Sequence, residues 1–244
     1  MKCIILAAGY ATRLYPLTEN FPKPLLDIQG KSILEWLLDD IQTIPLINEV
    51  VIVSNHKFYE KFLLWKDSLN TCLTVTVIDD GSTTNENRLG AVKDIGFAIE
   101  KCKIKDDVLI MAGDNLLDFS VRGFIDFFRE KNASCIMCHY EPSVDRLRRT
   151  GVAVIDKNSK VLQMQEKPQE PLSNWAVPPF YIYPRKDLHY ILEGIASNVC
   201  GTDAPGSLIA WFCQKADVYA YPMPGKRYDI GNTERYLEIQ KNHK

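Results

Sequence analysis

The chemistry open to this chain begins at Ala7, Ala8, Gly9 and Ala11, small residues directly after a short apolar run. Without bulky side chains the backbone there can approach a ligand closely, and a run of unpaired N–H groups forms a nest for phosphate oxygens. Arg13 and Lys23 add fixed positive charge within the same segment, as a polyphosphate requires. Farther along, the apolar run Val108 to Ala112 ends in Gly113, Asp114 and Asn115. A carboxylate at that place can ligate Mg²⁺ while the metal bridges phosphate oxygens; an Asp capping the next turn is the plainer reading of the same residues. Glu166 and Lys167 are adjacent opposite charges after another strand pattern, where a solvated ion pair is the ordinary reading.

Other chemistries find less support. Gly30, Lys31 and Ser32 spell the end of a P-loop, but Leu25 stands where its first glycine belongs, so Gly30 reads as a turn and Ser32 as a helix cap. Gly9 is followed by Tyr10 and Ala11, which leaves no G-x-G-x-x-G fingerprint. Cys135 to His139 formally matches a haem attachment motif, yet Cys135 and Cys138 lie three apart in a strand pattern and face opposite sides, so core packing is expected. His56, His139, His189 and His243 have no ligand spacing, and no Ser-His-Asp or Cys-His arrangement is identifiable.

Positioning such residues takes a framework of strands with open C-terminal ends. Near-continuous apolar runs predict buried strands at 3–7, 50–54, 73–78 and 108–112. An amphipathic helix lies between the first two, with Ile33, Leu34, Leu37, Leu38, Ile41 and Ile44 on its apolar face and a capping box of Ser32 and Glu35. Further helical patterns cover about 91–101 and 121–131. This alternation implies parallel strands with crossover helices, whose ligands bind at the C-terminal strand edge, where the small-residue loop lies. The second half reads as short strands at 134–140, 151–155, 161–165, 180–183 and 218–221, with helices near 185–195, 207–214 and 233–242. The Pro-rich stretch 165–180 is expected to be an irregular loop or lid.

Composition narrows the classes. The chain has 29 Lys and Arg against 31 Asp and Glu, a net charge of −2, which disfavours a protein that coats nucleic acid. With 46% hydrophobic and 25% charged residues it is an ordinary globular chain. Seven scattered cysteines read as reduced thiols of a cytoplasmic protein, and neither a secretion signal nor a membrane span is expected.

As a block, the segment from Leu6 to Leu26 resembles the signature of the sugar-1-phosphate nucleotidylyltransferases: a small-residue loop, then T-R-L-x-P-L-T, then P-K-P-L. The chain carries Thr12, Arg13, Leu14, Pro16, Leu17, Thr18, Pro22, Lys23, Pro24 and Leu25 in that order. Ala11 stands where the family often has a second glycine. Three later segments are similar to further family motifs in the expected order: Gly113–Asp114, Gly151–Val152 with Glu166–Lys167, and Tyr228–Asp229 before Gly231.

The resemblance implies a Rossmann-like three-layer α/β/α fold with a mixed, mainly parallel central sheet and a small β-rich sugar-binding portion. It implies Mg²⁺-dependent in-line attack of a sugar 1-phosphate on the α-phosphate of a nucleoside triphosphate, giving a nucleotide sugar and pyrophosphate. Arg13, Lys23 and Lys167 would be catalytic, and Asp114 and Asp229 would hold the metal. Leu6, Ala7, Ala8, Gly9, Tyr10, Ala11, Thr12, Asn87, Gly90 and Asp114 would meet the nucleotide; Gly151, Glu166, Lys167 and Tyr181 would meet the sugar phosphate. Arg88, and Pro179 before the aromatic strand, depart from the pattern, so base and sugar stay open, thymidylyl, uridylyl and guanylyl transfer among them. A single domain over 1–244 is expected: a nucleotide-binding half over about 1–115, a sugar-phosphate half over about 116–232 and a closing helix over 233–244. That leaves no length for the C-terminal β-helix of longer relatives. Two alternatives stand beside this reading, a cytidylyltransferase acting on a phosphorylated alcohol such as phosphocholine and a catalytically silent nucleotide-sugar-binding regulator. Neither nucleic acid nor membrane is an expected partner, and self-association into a homo-oligomer is left open.

Overall fold

The computed structural model describes residues Met1–Asn242; His243 and the last position of the expected closing helix lie outside the described residues. In chain order the strands are β1 (Lys2–Leu6), β2 (Asp27–Ile28), β3 (Lys31–Ser32), β4 (Glu49–Ser54), β5 (Thr74–Asp79), β6 (Val108–Ala112), β7 (Asn115–Leu117) and β8 (Ser134–Tyr140). They continue with β9 (Gly151–Ile155), β10 (Val161–Glu166), β11 (Trp175–Val177), β12 (Phe180–Tyr183), β13 (Val218–Pro222) and β14 (Arg227–Asp229). The helices are α1 (Ile33–Ile41), α2 (Tyr59–Asp67), α3 (Ala91–Lys101), α4 (Arg122–Lys131), α5 (Val144–Leu147), α6 (Leu188–Ala196), α7 (Pro205–Phe212) and α8 (Thr233–Asn242).

The chain divides into two compact units that do not follow the linear halves. Unit 1 takes Met1–Leu89, Ala112–Val121 and the stretch from Gly225 onward; unit 2 takes Gly90–Met111 and Arg122–Pro224. A boundary near 115 is therefore not where the chain divides.

In unit 1, β1, β4 and β5 pair in parallel, with Lys2 opposite Glu49 and Glu49 opposite Thr74. Their apolar runs sink completely: Ile4, Ile5, Val50, Val51, Ile52 and Val53 expose nothing, as strands buried on both faces require. Ser32 caps α1 with its hydroxyl on the Glu35 amide while Glu35 reaches back, the capping box read from sequence. The helix stops at Ile41, short of Ile44, which sits in the following turn. Helix α2 escapes sequence periodicity because it buries Phe62 alone and leaves Leu64 exposed. A second apolar cluster of Leu14, Leu26, Ile28, Ile33, Leu116, Ile230, Tyr236 and Ile239 draws on all three chain stretches of the unit.

Unit 2 is mostly antiparallel. Strand β12 pairs β6 and β8, β11 pairs β8 and β9, and β10 pairs β9, while β13 runs parallel to β8. The sheet sense is thus mixed, as expected for this fold class. The Pro-rich stretch is not irregular throughout. Trp175, Ala176 and Val177 form a strand with partners on both sides, too short and too closely flanked by Pro178 and Pro179 to show an alternation. Cys135 and Cys138 are buried in β8, and burial pushes both thiols up to about 12, as suits core packing. No described helix is long and apolar enough to cross a membrane.

Candidate active site

Beyond Ala7, whose amide donates to Val53 O at 2.9 Å, the loop after β1 is held by its carbonyls. Leu6 O accepts from Gly113 N at 2.9 Å, and Ala8 O accepts from Asn55 Nδ2 at 2.9 Å. Ala11 O accepts from Leu14 N at 2.9 Å and from the Thr18 hydroxyl at 2.8 Å. The amides of Gly9, Tyr10, Ala11 and Thr12 donate to no acceptor among the described residues. Undonated amides of this kind are what a nest for phosphate oxygens would use.

The T-R-L-x-P-L-T spacing now has a physical reason. Ala11 takes φ 47°, ψ 42°, a left-handed conformation costing a residue with a Cβ about 1–2 kcal/mol. The buried Thr18 hydroxyl, seven residues on, holds that carbonyl in place. Leu14 anchors the intervening turn in the core, and Arg13 between them is exposed, with no hydrogen-bond or ion-pair partner among the described residues.

Lys23 is buried, with its ammonium 2.7 Å from Asp114 Oδ2 and 3.6 Å from Asp229 Oδ1. Two short strands bring these carboxylates together: β7 pairs β14 antiparallel and sets Asp229 opposite Asn115. Gly113 is required just before Asp114, since a Cβ there would lie 2.9 Å from Ile5 Cγ2 and 3.1 Å from Leu6 O. Asn115 Nδ2 donates to Asp114 Oδ1 at 2.7 Å, and Asn115 Oδ1 accepts from Arg227 Nη1, which also lies 3.9 Å from Asp229 Oδ2. Arg227 and Asn115 were not anticipated. Their only signal in the sequence is adjacency to the two aspartates.

The ammonium of Lys23 marks a position that both carboxylates already share with one cation. No group of three or more His, Cys, Asp or Glu side chains among the described residues forms a metal cage. Two carboxylates without a third protein ligand suit Mg²⁺, which keeps waters and takes substrate phosphate oxygens. The donor set therefore fits that ion.

Two of the residues that the resemblance assigns to the nucleotide are engaged within the protein. Asn87 Oδ1 accepts from the amides of Thr83 and Thr84, and its Nδ2 donates to Thr83 Oγ1 at 3.1 Å, so its amide closes its own turn. Gly90 (φ 89°) faces the Thr202 backbone, where a Cβ would meet Thr202 O at 2.4 Å. Close approach of its own chain is thus reason enough for that glycine. Tyr10 is buried and donates to Ser82 O at 3.0 Å.

In unit 2, Gly151 opens β9 directly opposite Glu166 at the end of β10. Lys167 follows in a left-handed conformation (φ 47°), its amide donating to Thr150 O at 3.0 Å and its side chain exposed. Glu166 keeps only 16% of its side chain exposed, and its polar partner among the described residues is the Lys167 ammonium at 3.8 Å. Burial holds its carboxyl above the usual range, with Lys167 opposing the shift. A buried carboxylate so thinly partnered has lone pairs for hydroxyl donors. Tyr181 is enclosed in the sheet between Ile110 and Ile136 at 2% exposure.

A family model described as nucleotidyl transferase matches residues 2–244. The chain belongs to this family. Among curated relatives, it is 28% identical over 242 residues to a UTP–glucose-1-phosphate uridylyltransferase, AglF, of Haloferax volcanii, covering 99% of this chain and 96% of that one. It is 26% identical to a UTP–glucose-1-phosphate uridylyltransferase of Synechocystis sp., covering 98% of this chain and 62% of the relative. The chain spans 59–62% of the length of several such relatives. A solved structure described as a UTP-bound UGPase from Acinetobacter baumannii superimposes with a TM-score of 0.79 at 19% identity, covering 99% of this chain and 92% of the other, a likeness of fold.

Proposed function

We propose that this chain transfers a nucleotidyl group from a nucleoside triphosphate to the phosphate of a sugar 1-phosphate and releases pyrophosphate. The observation that carries the reading is the meeting of Asp114 and Asp229 on one cation position, together with a loop in which the amides of Gly9 to Thr12 donate to no acceptor among the described residues. An oxygen of the sugar phosphate bonds to the α-phosphorus as the bond from that phosphorus to the leaving pyrophosphate breaks, and the electron pair departs with pyrophosphate. Since the attacking oxygen is already anionic, no general base is needed, which suits a chain with no catalytic His or Cys arrangement. Catalysis then reduces to alignment and charge neutralisation.

The amides of Gly9 to Thr12 and the unpaired Arg13 guanidinium bind the triphosphate and stabilise the departing pyrophosphate. Lys23 serves the phosphates nearest its aspartates, Lys167 meets the sugar phosphate, and Glu166 accepts from sugar hydroxyls. Asp114 and Asp229 would hold Mg²⁺, which would supply neutralisation of phosphate charge. The relatives cited are named for glucose 1-phosphate, which favours a sugar phosphate over phosphocholine, and both metal carboxylates argue for an active enzyme over a silent regulator.

The test is a panel of nucleoside triphosphates against sugar 1-phosphates, read by pyrophosphate release with and without Mg²⁺. Turnover with at least one pair, lost on Asp114→Asn, is expected; nucleotide-sugar binding without pyrophosphate release from any pair would overturn the reading.

A further inference from the structure

Glu166 is confined by a residue that no motif singles out. Gly206, the second residue of α7, lies so close that an ideal Cβ on it would be 1.9 Å from Glu166 Oε2 and 3.1 Å from its carboxyl carbon. On the other side, a Cβ on Gly151 would be 3.4 Å from the same oxygen. The carboxylate thus lies between two glycines. Gly206 has no left-handed φ, so its helical backbone could carry any residue; space alone demands the glycine there.

The chain before Gly206 is pinned. Thr202 O accepts from Val92 N at 2.9 Å, and the Thr202 backbone is packed onto Gly90. Behind Gly206, Leu208, Ile209 and Phe212 are fully buried, so the first turn of α7 cannot retreat without opening the core. Glu166, by contrast, carries its carboxylate on a rotatable arm. Any side chain at 206 would displace the carboxylate and leave the helix in place.

We infer that Gly206 is a positioning residue for sugar recognition: having no side chain, it fixes where the Glu166 carboxylate can meet the sugar hydroxyls. The inference rests on the assignment of Glu166 to the sugar. It makes Gly206 act on one substrate only, and chiefly through Glu166, since the other atom near that Cβ position, Met164 Cε at 3.2 Å, is the free end of a flexible side chain.

The experiment compares the wild type with Gly206→Ala, Glu166→Asp, the double variant and Glu166→Gln, using the substrate pair chosen by the panel and varying each substrate in turn. Thermal unfolding of each variant checks the fold. Gly206→Ala should raise KM for the sugar 1-phosphate by about tenfold or more, since a displacement of about 1 Å can cost that much, and leave the nucleotide KM within twofold. Aspartate is one methylene shorter and escapes the added methyl, so the double variant should bind sugar phosphate better than the product of the single effects. A sugar KM within twofold of wild type in Gly206→Ala, or effects that simply multiply, overturns the inference. If Glu166→Gln leaves the sugar KM unchanged, the assignment of Glu166 fails instead. Absence of turnover with every pair removes the underlying reading and this inference with it.

Discussion

Asn55→Ala offers a direct test of how the phosphate loop is built. Asn55 is completely buried, and its side chain does two separate things. Its Oδ1 caps the short turn that follows β4, accepting from Phe58 N at 3.0 Å; its Nδ2 donates to Ala8 O at 2.9 Å, inside the loop after β1. Truncation removes a cap worth about 1 kcal/mol and leaves the buried Ala8 carbonyl unpaired at a cost of about 1–3 kcal/mol. The expected loss is roughly 2–4 kcal/mol, read as a lower urea midpoint at unchanged slope. Freed of its donor, the Ala8 peptide can rotate and turn the following amides away from phosphate, so the nucleotide KM should rise while the sugar phosphate KM holds. Asn55→Ser can still cap Phe58 and should recover about 1 kcal/mol without restoring the nucleotide KM. A loss under 1 kcal/mol together with an unchanged nucleotide KM would refute this account of the loop.

Three further outcomes follow from the site. Arg13→Ala should lower kcat by a factor on the order of 10² or more while the melting temperature stays put, because the guanidinium has no partner among the described residues to lose; a stability change above about 1 kcal/mol, a large value for a surface site, would contradict that. Thr18→Val should cost about 1–2 kcal/mol by removing a buried hydrogen bond, and Ala11→Gly should stabilise by roughly 0.5–1 kcal/mol as left-handed strain is relieved against the extra chain entropy of glycine; urea titrations decide both. For Glu166→Gln the folded carboxyl sits above its unfolded value, so ionisation weakens the fold, and the variant should melt higher than wild type at pH 7. That advantage should shrink as pH falls through the raised folded value towards the ordinary carboxylate range, and an advantage that grew on acidification would reverse the sign of the argument.

Much of unit 1 was legible because its signals are local. The capping box of α1, the apolar runs of β1, β4 and β5, and the small-residue loop each need only a few neighbouring residues to be read. Pairing between β7 and β14 was not legible, since strands of three residues carry no periodicity and their contact joins Asn115 to Asp229 across the chain. Asp229 enters only through motif order, Asn115 is named only as the residue after Asp114, and Arg227, which links Asn115 to Asp229, has no signal of its own. The strand Trp175–Val177 was hidden by its prolines, and α2 by an outer face that keeps Leu64 in water. Asn87 and Gly90 show the limit of reading loops one residue at a time: both have structural employment that depends on backbone geometry, which sequence does not display.

That unit 1 is drawn from three stretches of chain bears on how the protein is made. A nascent chain halted at Pro224 would already possess the amide loop, Arg13, Lys23 and Asp114. It would lack Asp229, and Ile230, Tyr236 and Ile239 would not yet cover Leu14, Leu26 and Ile28. Tyr236 and Gln240 also donate to Asp27 O, so the same segment ties down the turn that follows Lys23. Completion of the Asp114–Lys23–Asp229 cluster and burial of Leu14, Leu26 and Ile28 thus depend on one and the same segment of unit 1. A chain without that segment leaves Leu14, Leu26 and Ile28 bare and Lys23 with one carboxylate in place of two.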